Sequence, residues 1–201
     1  GQGSAQQGVR SRGAMVPVRA FYDSYADDDG RKQEQAFFYT KYPRYGNPAE
    51  TVFFPGPYIF KFWDEEAEKT GRSGANFPLI RYADILLLCA EAKSVIDGGT
   101  TSDAAAIDAY YSVRHRAFPA APKPAALTTD DILRERYWEL CFEFQTWYDM
   151  LRTRKAFDVV QGKMTSLVGY KAPNHLRSFE ETDFQFPLPL AEVQKNPDLA
   201  L

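Results

Sequence analysis

Histidine and cysteine are scarce in this chain of 201 residues, which has two of each. Neither His115 nor His175 lies three residues after a glutamate, as the Glu-x-x-His pairs of di-metal carboxylate proteins require. The sequence also has no Gly-x-Ser-x-Gly elbow, no phosphate-binding loop and no zinc-ligand cluster. These absences argue against several common enzyme classes and predict neither a cofactor nor a metal.

Long apolar runs and a strong net charge are also missing. The longest apolar run, ILLLCA at residues 85–90, is far too short to span a bilayer. No secretory signal and no N-terminal cysteine for acylation are recognised. The net charge is −3, and both signs are interspersed along the chain, so no footprint for nucleic acid is seen. We therefore expect a chain that is soluble as made, with no nucleic-acid partner.

Aromatic residues are plentiful, with 15 Phe, 12 Tyr and 3 Trp. Residues 1–76 are predicted to be irregular and aromatic-rich, with short strands and one short amphipathic helix around Val18–Tyr25. The acidic run DDDGR at 27–31 has the wrong spacing for an EF-hand loop and predicts a solvated turn. EEAEKTGRSGAN at 65–76 is interpreted as a surface linker. Residues 77–201 are predicted to be helical and to form one compact unit with the rest.

The helical half is predicted to begin with an antiparallel helical hairpin. Pro78 suits the first turn of a helix that runs to about Asp97 and stops at the Gly98-Gly99 pair. A second helix is expected to start from a Ser102 cap. The short glycine turn between the two helices favours an antiparallel arrangement.

A third helix is predicted to open at Thr128, where Asp131 three residues later resembles a capping box. Helical structure is expected from there to about Val160. The two cysteines, Cys89 and Cys141, lie in apolar helical patterns and are predicted to be buried free thiols. A disulfide between them is the alternative, if their helices pack side by side in an oxidising compartment.

Three glutamates four residues apart, Glu135, Glu139 and Glu143, are predicted to share one face of this third helix. Like charges at that spacing destabilise an isolated helix, so partners from other elements are expected. A di-metal site, a glycosidase carboxylate pair and a structural ion-pair network are the three interpretations. Apolar residues surround the row, and arginines are abundant nearby. We favour the ion-pair network and predict Arg81 and Arg114 as its cations.

Several segments resemble motifs of the SusD/RagB family. They are FPLIRYADILLLCAEA at 77–92, AYYSVRHRA at 109–117, ILRERYWELCFEFQTWYDMLR at 132–152, FPLPLAEVQKNPDL at 186–199 and, more weakly, MVPVRAFYDSYADDDGRK at 15–32. Gln145-Thr146 departs from the family's usual Gly-x-Arg. The resemblance covers nearly the whole chain, but only the C-terminal part, less than half, of a typical member.

The resemblance implies a mainly α, SusD-like fold of tetratricopeptide-like helical pairs with long irregular loops and a few short strands. It also implies a surface-exposed lipoprotein of the outer membrane, whose lipid anchor is not in this sequence. Such proteins capture oligosaccharides or other nutrients for a SusC-like TonB-dependent transporter. They bind their ligand and are not enzymes.

A glycan site needs flat aromatic faces for sugar rings, flanked by polar groups for the hydroxyls. The segment KYPRYGNP at 41–48 and the tryptophan that follows it supply such residues. The candidates are Tyr42, Arg44, Tyr45, Asn47 and Trp63. Packing of these aromatics on the helical half is one alternative interpretation of them. A glycoside hydrolase and a helical-repeat scaffold for protein partners are the alternative functions.

Overall fold

Seven α-helices and three two-stranded sheets form the computed structural model, which describes residues 16–44, 47–186, 188–196 and 198. The helices are α1 (Arg19–Asp23), α2 (Glu65–Thr70), α3 (Tyr82–Ile96), α4 (Ala104–Ala117), α5 (Thr129–Glu139), α6 (Gln145–Thr153) and α7 (Leu190–Lys195). The strands are β1 (Phe38–Arg44), β2 (Asn47–Ile59), β3 (Thr100–Thr101), β4 (Leu127–Thr128), β5 (Lys155–Asp158) and β6 (Lys163–Ser166). The mainly α fold class predicted from the sequence is confirmed.

Strands β1 and β2 form a long antiparallel hairpin in which Phe38 pairs with Ile59 and Arg44 with Asn47. The prediction of only short strands is wrong for β2, which has 13 residues. The register shifts between Tyr39 and Lys41, opposite the segment FPGP at 54–57. Proline has no backbone N–H to donate, so this segment cannot continue a regular ladder and bulges instead.

The predicted surface linker at 65–76 is wrong in its first half, where the chain forms α2. The Asp64 carboxylate accepts hydrogen bonds from the backbone N–H groups of Glu66 and Ala67, which satisfies donors that a helix start leaves unpaired. The helix ends at Gly71, whose φ of 74° lies in the left-handed region that glycine adopts most readily.

Helices α3 and α4 form the predicted helical hairpin, joined through Gly98 and Gly99. Two predicted boundaries are wrong. The first helix starts at Tyr82 rather than Pro78, because Arg81 is extended and residues 78–80 are not helical. The second is capped by Asp103, whose carboxylate accepts from the N–H of Ala106, and not by Ser102.

The core of the helical half lies between α3, α4 and α5. Its buried side chains come from one face of each helix, and β4 adds one more residue beneath them. They are Ala83, Leu87, Ala90, Ala106, Ile107, Tyr110, Val113, Leu127 and Ile132. This packing orients α5 so that its opposite side faces the N-terminal segment.

The capping box at the start of α5 is confirmed: the Thr128 hydroxyl accepts from the Asp131 N–H, and the Asp131 carboxylate accepts in return from the Thr128 N–H. The prediction of continuous helix to about Val160 is wrong. Helix α5 ends at Glu139, and Phe142 and Phe144 have φ of 65° and 62°. Glu143 therefore lies in a tight break between α5 and α6 and is not on the same helix as Glu135.

Beyond α6 the chain forms the β5–β6 hairpin, and its first strand lies where helix was predicted. Arg154 ends α6 in the left-handed conformation with φ of 56°, which turns the chain out of the helix. Phe157 on β5 is buried and packs its ring against Trp138 at 5.7 Å between centroids. The hairpin thereby covers one side of α5.

The two cysteines are both free thiols. Cys141 is buried as predicted, but Cys89 is exposed on α3, so the prediction of two buried thiols is wrong for that residue. Among the residues that the structure describes, no helix has both the length and the apolar character needed to cross a membrane.

Candidate functional site

Aromatic rings gather on one side of the β1–β2 hairpin. Tyr39 is buried, and five rings surround it with centroid distances between 5.4 and 6.5 Å. We call this set the aromatic cluster: Tyr39, Tyr42, Phe54, Tyr58, Phe60 and Trp63. Rings in mutual contact support one another, so the cluster gives a hairpin of two strands a rigid side.

Two of the predicted glycan-binding residues, Tyr42 and Trp63, meet at the edge of this cluster. Their ring centroids are 5.3 Å apart with an interplanar angle of 44°. Trp63 is also stacked on Phe60 at 5.0 Å and 8°, and 36% of Trp63 remains exposed. The pair thus presents aromatic surface to solvent on a supported framework.

The two predicted polar residues lie at the far end of the hairpin. Arg44 and Asn47 are directly opposite each other in the register. The Arg44 guanidinium forms an ion pair of 2.8 Å with Glu50, and both side chains are largely exposed. Tyr45, the remaining predicted residue, lies outside the described residues.

Glu135 faces two arginines in the interior of the protein. Its carboxylate lies 2.7 Å from Nη1 of Arg31 and 3.1 Å from Nη1 of Arg114. Asp29 binds both of these arginines as well, at 2.8 and 3.4 Å. Glu135 and Asp29 have no exposed surface, and Arg31 is 3% exposed.

Glu139 and Glu143 continue this buried network toward the hairpin. Arg81 bridges the two carboxylates, at 3.1 Å from Glu139 and 2.7 Å from Glu143. Arg116 also binds Glu139, and Lys61 binds Glu143. All three glutamates of the row are therefore buried and matched by cations from other parts of the chain.

Arg31 was not foreseen. The interpretation of 27–31 as a solvated turn holds for Asp27 and Asp28, which are exposed, but is wrong for Asp29 and Arg31, which are buried. The side chain also donates to Glu139 at 3.2 Å, so it joins two glutamates to Asp29. Burial alone would lower the pKa of the Arg31 guanidinium, but the charges of Glu135 and Asp29 outweigh it and raise that pKa. The weaker family motif at 15–32, which ends in Asp-x-Arg, was the signal that could have revealed this role.

Two other arginines of the helical half serve a separate buried network. Arg136 lies 2.7 Å from Asp149 and 2.8 Å from Asp84. Arg152 binds Asp149 and Glu91. This second network joins α3, α5 and α6. Its ion pairs are with Asp84, Glu91 and Asp149, and not with the three glutamates of the row.

The buried carboxylates have the chemistry of a scaffold. A glycosidase needs two carboxylates facing a cleft that admits the sugar, whereas Glu135 and Glu139 have no exposed surface and contact arginines. No group of three or more His, Cys, Asp or Glu side chains in the described ranges is arranged to hold a metal ion. The exposed aromatic surface is thus the better candidate for contact with a ligand.

The outer side of α3 is a second exposed apolar surface. Its exposed positions are Tyr82, Ile85, Leu88, Cys89, Ala92, Val95 and Ile96. At about 100° per residue these side chains point away from the core residues of the same helix. A helix that is apolar on all sides is normally covered on all sides. An exposed apolar face is what a helical-repeat scaffold for protein partners would need. The aromatic cluster is the feature that a glycan-binding protein would need, and this chain has both.

Comparison with known sequences points to one family. Residues 16–200 match the model of the SusD family. A SusD-like protein of Formosa agariphila is 28% identical over 185 residues, which is 84% of this chain and 33% of the relative. A SusD-like protein of Bacteroides ovatus is 29% identical over 163 residues, which is 64% of this chain and 29% of the relative.

Solved structures give a similar result. A SusD superfamily protein from Parabacteroides distasonis has a TM-score of 0.84 and 32% identity, with 98% of this chain and 43% of that one covered. Surface glycan-binding protein A from Bacteroides uniformis has a TM-score of 0.58 and 20% identity, with 88% and 38% covered. The chain therefore spans about a third of the F. agariphila relative and less than half of these solved chains.

Proposed function

The chain belongs to the SusD family, and from that premise we propose that it contributes a glycan-binding surface to a nutrient-capture protein of the outer membrane. The observation that carries the proposal is the contact between Tyr42 and Trp63 on the aromatic cluster, where Trp63 is exposed and Tyr42 is half-buried. Sugar rings stack on flat aromatic faces through their C–H groups, and hydroxyls at the ring edge bond to nearby polar side chains.

The polar contacts of this site are proposed to come from the end of the hairpin. Arg44 and Asn47 are both exposed. The Arg44–Glu50 pair is a surface ion pair, so little free energy opposes its rearrangement around a hydroxyl. With ring stacking and a few such bonds, we expect a dissociation constant of about micromolar to millimolar.

Binding without turnover is part of the proposal. The dense set of carboxylates is enclosed with arginines and a lysine, so it cannot supply a free acid and base to a substrate. The glycoside hydrolase alternative is therefore the weaker one. The family's role further supports capture at the cell surface and delivery to a SusC-like TonB-dependent transporter. Surface glycan-binding protein A supports the fold alone, because its identity to this chain is only 20%.

The test is affinity electrophoresis of the full-length protein through native gels that contain starch, laminarin, xylan, galactomannan or alginate. We expect retardation by at least one polysaccharide, and loss of that retardation when Tyr42, Tyr45 and Trp63 are all replaced by alanine. Phe53→Ala is the matched control. Phe53 is 72% exposed on β2 but neighbours Phe54 of the cluster, so its side chain points to the opposite face.

Turnover is checked on the polysaccharide that is retained. The protein and that polysaccharide are incubated together, and new reducing ends are measured over time. Sustained release at catalytic rates would overturn the binding role. Retention that survives the triple alanine variant would instead move the ligand site away from the hairpin.

A further inference from the structure

Lys61 is partly buried, although its neighbours Phe62 and Trp63 are exposed. We propose that Lys61 is a positioning residue for the aromatic surface: its ammonium group anchors the turn that holds Trp63 against Phe60. This inference rests on the proposed function, because it assigns Lys61 a part in presenting the glycan-binding face.

The ammonium group has three polar partners in its site. It donates to the backbone carbonyl of Glu139 at 2.5 Å and to that of Cys141 at 3.2 Å. It also forms an ion pair with the carboxylate of Glu143. An ammonium group has three N–H donors; two of them donate to these carbonyls, and the carboxylate of Glu143 balances the charge. The Lys61 side chain is only 9% exposed.

The site for this ammonium group is built by the end of α5. The last carbonyls of a helix have no partner within it and carry the negative end of the helix dipole. Lys61 supplies the donor to two carbonyls at this end, and its ammonium lies 4.2 Å from the centre of the Phe37 ring. The helix end, the carboxylate and the ring together fix the position of the Lys61 side chain.

The backbone around Lys61 transmits this position to the aromatic cluster. The N–H groups of Phe60 and Lys61 both donate to the carbonyl of Phe37, at 2.8 and 3.2 Å. The N–H of Trp63 donates to the carbonyl of Phe60 at 2.8 Å. Lys61 therefore sits within the turn whose two ends stack their rings at 8°.

This anchoring matters because a two-stranded hairpin has little stability of its own. An aromatic ring that is already held in its binding position loses less conformational entropy when a ligand arrives. Release of Lys61 is expected to leave Trp63 mobile while the helical core, which lies on the other side of α5, keeps its packing.

The experiment replaces Lys61 by methionine, which keeps the apolar stem and removes the charge. Lys69→Met is the matched control, because Lys69 is 60% exposed on α2. Both variants and the unchanged protein are labelled with 5-fluorotryptophan, and the ¹⁹F resonance of Trp63 is assigned by its loss in Trp63→Phe. We expect the Trp63 resonance to shift toward its unfolded position in K61M and to stay in place in K69M, with the Trp147 resonance unchanged in both.

The binding consequence is measured in the gels that contain starch, laminarin, xylan, galactomannan or alginate. Retardation of K61M by a polysaccharide that retards the unchanged protein should weaken roughly three- to tenfold, the factor that corresponds to ordering one bulky side chain. Glu143→Gln withdraws one of the three partners and should move the Trp63 resonance in the same direction by less.

The outcomes separate this inference from the proposed function. A folded K61M variant with an unmoved Trp63 resonance overturns the positioning role. A K61M variant that does not fold also overturns it, because Lys61 would then support the whole fold. If no polysaccharide retards any form, or if W63A leaves retardation intact, the proposed site fails, and the Trp63 resonance still decides whether Lys61 holds the ring.

Discussion

Glu135 has no exposed surface and contacts two arginines and no other cation that the structure records. A buried ion pair contributes modestly to net stability, but removal of one partner leaves charges unpaired in a medium that solvates them poorly. Replacement of any one glutamate of the row should therefore destabilise the protein, because the arginines that it pairs with would stay buried without a partner.

We expect Glu135→Ala to lower the free energy of unfolding by about 3–5 kcal/mol, because Arg31 and Arg114 lose a shared partner. Glu181→Ala is the control: this glutamate also pairs with an arginine, Arg154, but is 68% exposed, and its loss should cost less than about 1 kcal/mol. Urea unfolding followed by circular dichroism measures both values. Equal losses in the two variants would show that burial does not amplify the effect.

Burial of Cys141 has a pH-dependent consequence. It raises the pKa of this thiol from 9.0 to about 11, so the unfolded chain releases the proton first as the pH rises. The thiol's contribution to stability is complete below pH 9 and is lost progressively toward pH 11. Between those values the unchanged protein should lose more stability than Cys141→Ala, by up to about 1.4 kcal/mol per pH unit.

Urea unfolding at pH 8, 9, 10 and 11 checks this difference. Cys89→Ala is the control, because Cys89 is exposed and its removal should leave the pH dependence of the unchanged protein intact. Parallel curves for the unchanged protein and Cys141→Ala would contradict the prediction.

Individual partners were only partly predictable from the sequence. Apolar residues on all sides of α5 indicated buried glutamates that need cations, and Arg81 and Arg114 were plausible because they lie on neighbouring helical segments. Arg31 could not be found from spacing, since it lies 104 residues from Glu135 along the chain and an acidic run precedes it. A run of charged residues is therefore a poor guide to solvent exposure where a distant part of the chain packs over it.

At the scale of elements, the break between α5 and α6 departs most from the sequence pattern. The apolar periodicity of 132–152 continues through it, so a single helix was predicted. The structure instead places Phe142 and Phe144 at positive φ, a conformation that non-glycine residues adopt at a cost. The break turns Glu143 toward Arg81 and Lys61, and those contacts offset the local strain.

Phe144→Gly tests this account of the break. Phe144 is 69% exposed, so glycine should relieve the backbone strain and leave the protein equally stable or up to about 1 kcal/mol more stable. Phe53→Gly provides the comparison at a similarly exposed position within a strand, where glycine should destabilise by about 1 kcal/mol. Thermal unfolding of both variants gives the sign of each change, and destabilisation by Phe144→Gly as large as that by Phe53→Gly would argue against strain in the break.

The boundaries of helices were predicted correctly where the residues at the boundary have a specific capping or stopping role. The Thr128–Asp131 capping box and the Gly98-Gly99 stop were both predicted from their residue types and are present. Pro78 gave the wrong start for the first helix of the hairpin, because a proline that suits the first turn of a helix also suits a non-helical segment. The non-helical stretch continues to Arg81, whose guanidinium binds Glu143; a contact with a residue so distant in the sequence does not mark where the helix begins.

At the scale of the whole molecule, buried charge joins segments that are far apart in the sequence. Asp29 and Arg31 reach Glu135 on α5 and Arg114 on α4, while Lys61 reaches the end of α5 from the hairpin. Apolar packing alone tolerates sliding of one surface on another, whereas ion pairs and hydrogen bonds with fixed geometry do not. The N-terminal segment and the hairpin are therefore held in one register against the helices.

We expect the exposed apolar face of α3 to affect how the protein behaves in concentrated salt. Sulfate strengthens the association of apolar surfaces. Protein molecules that stay dissolved in dilute buffer therefore associate through their exposed apolar patches as the sulfate concentration rises. Ile96 is 78% exposed and Ile85 44% exposed on this face. The double variant Ile85→Lys/Ile96→Lys should therefore precipitate at a higher ammonium sulfate concentration than the unchanged protein. Val160→Lys, at a 72% exposed loop position, adds charge without touching that face and should raise the precipitation point less; light scattering during a sulfate titration compares the three proteins. We therefore expect precipitant salt to act on this chain partly through a surface that takes no part in the hairpin or the ionic core.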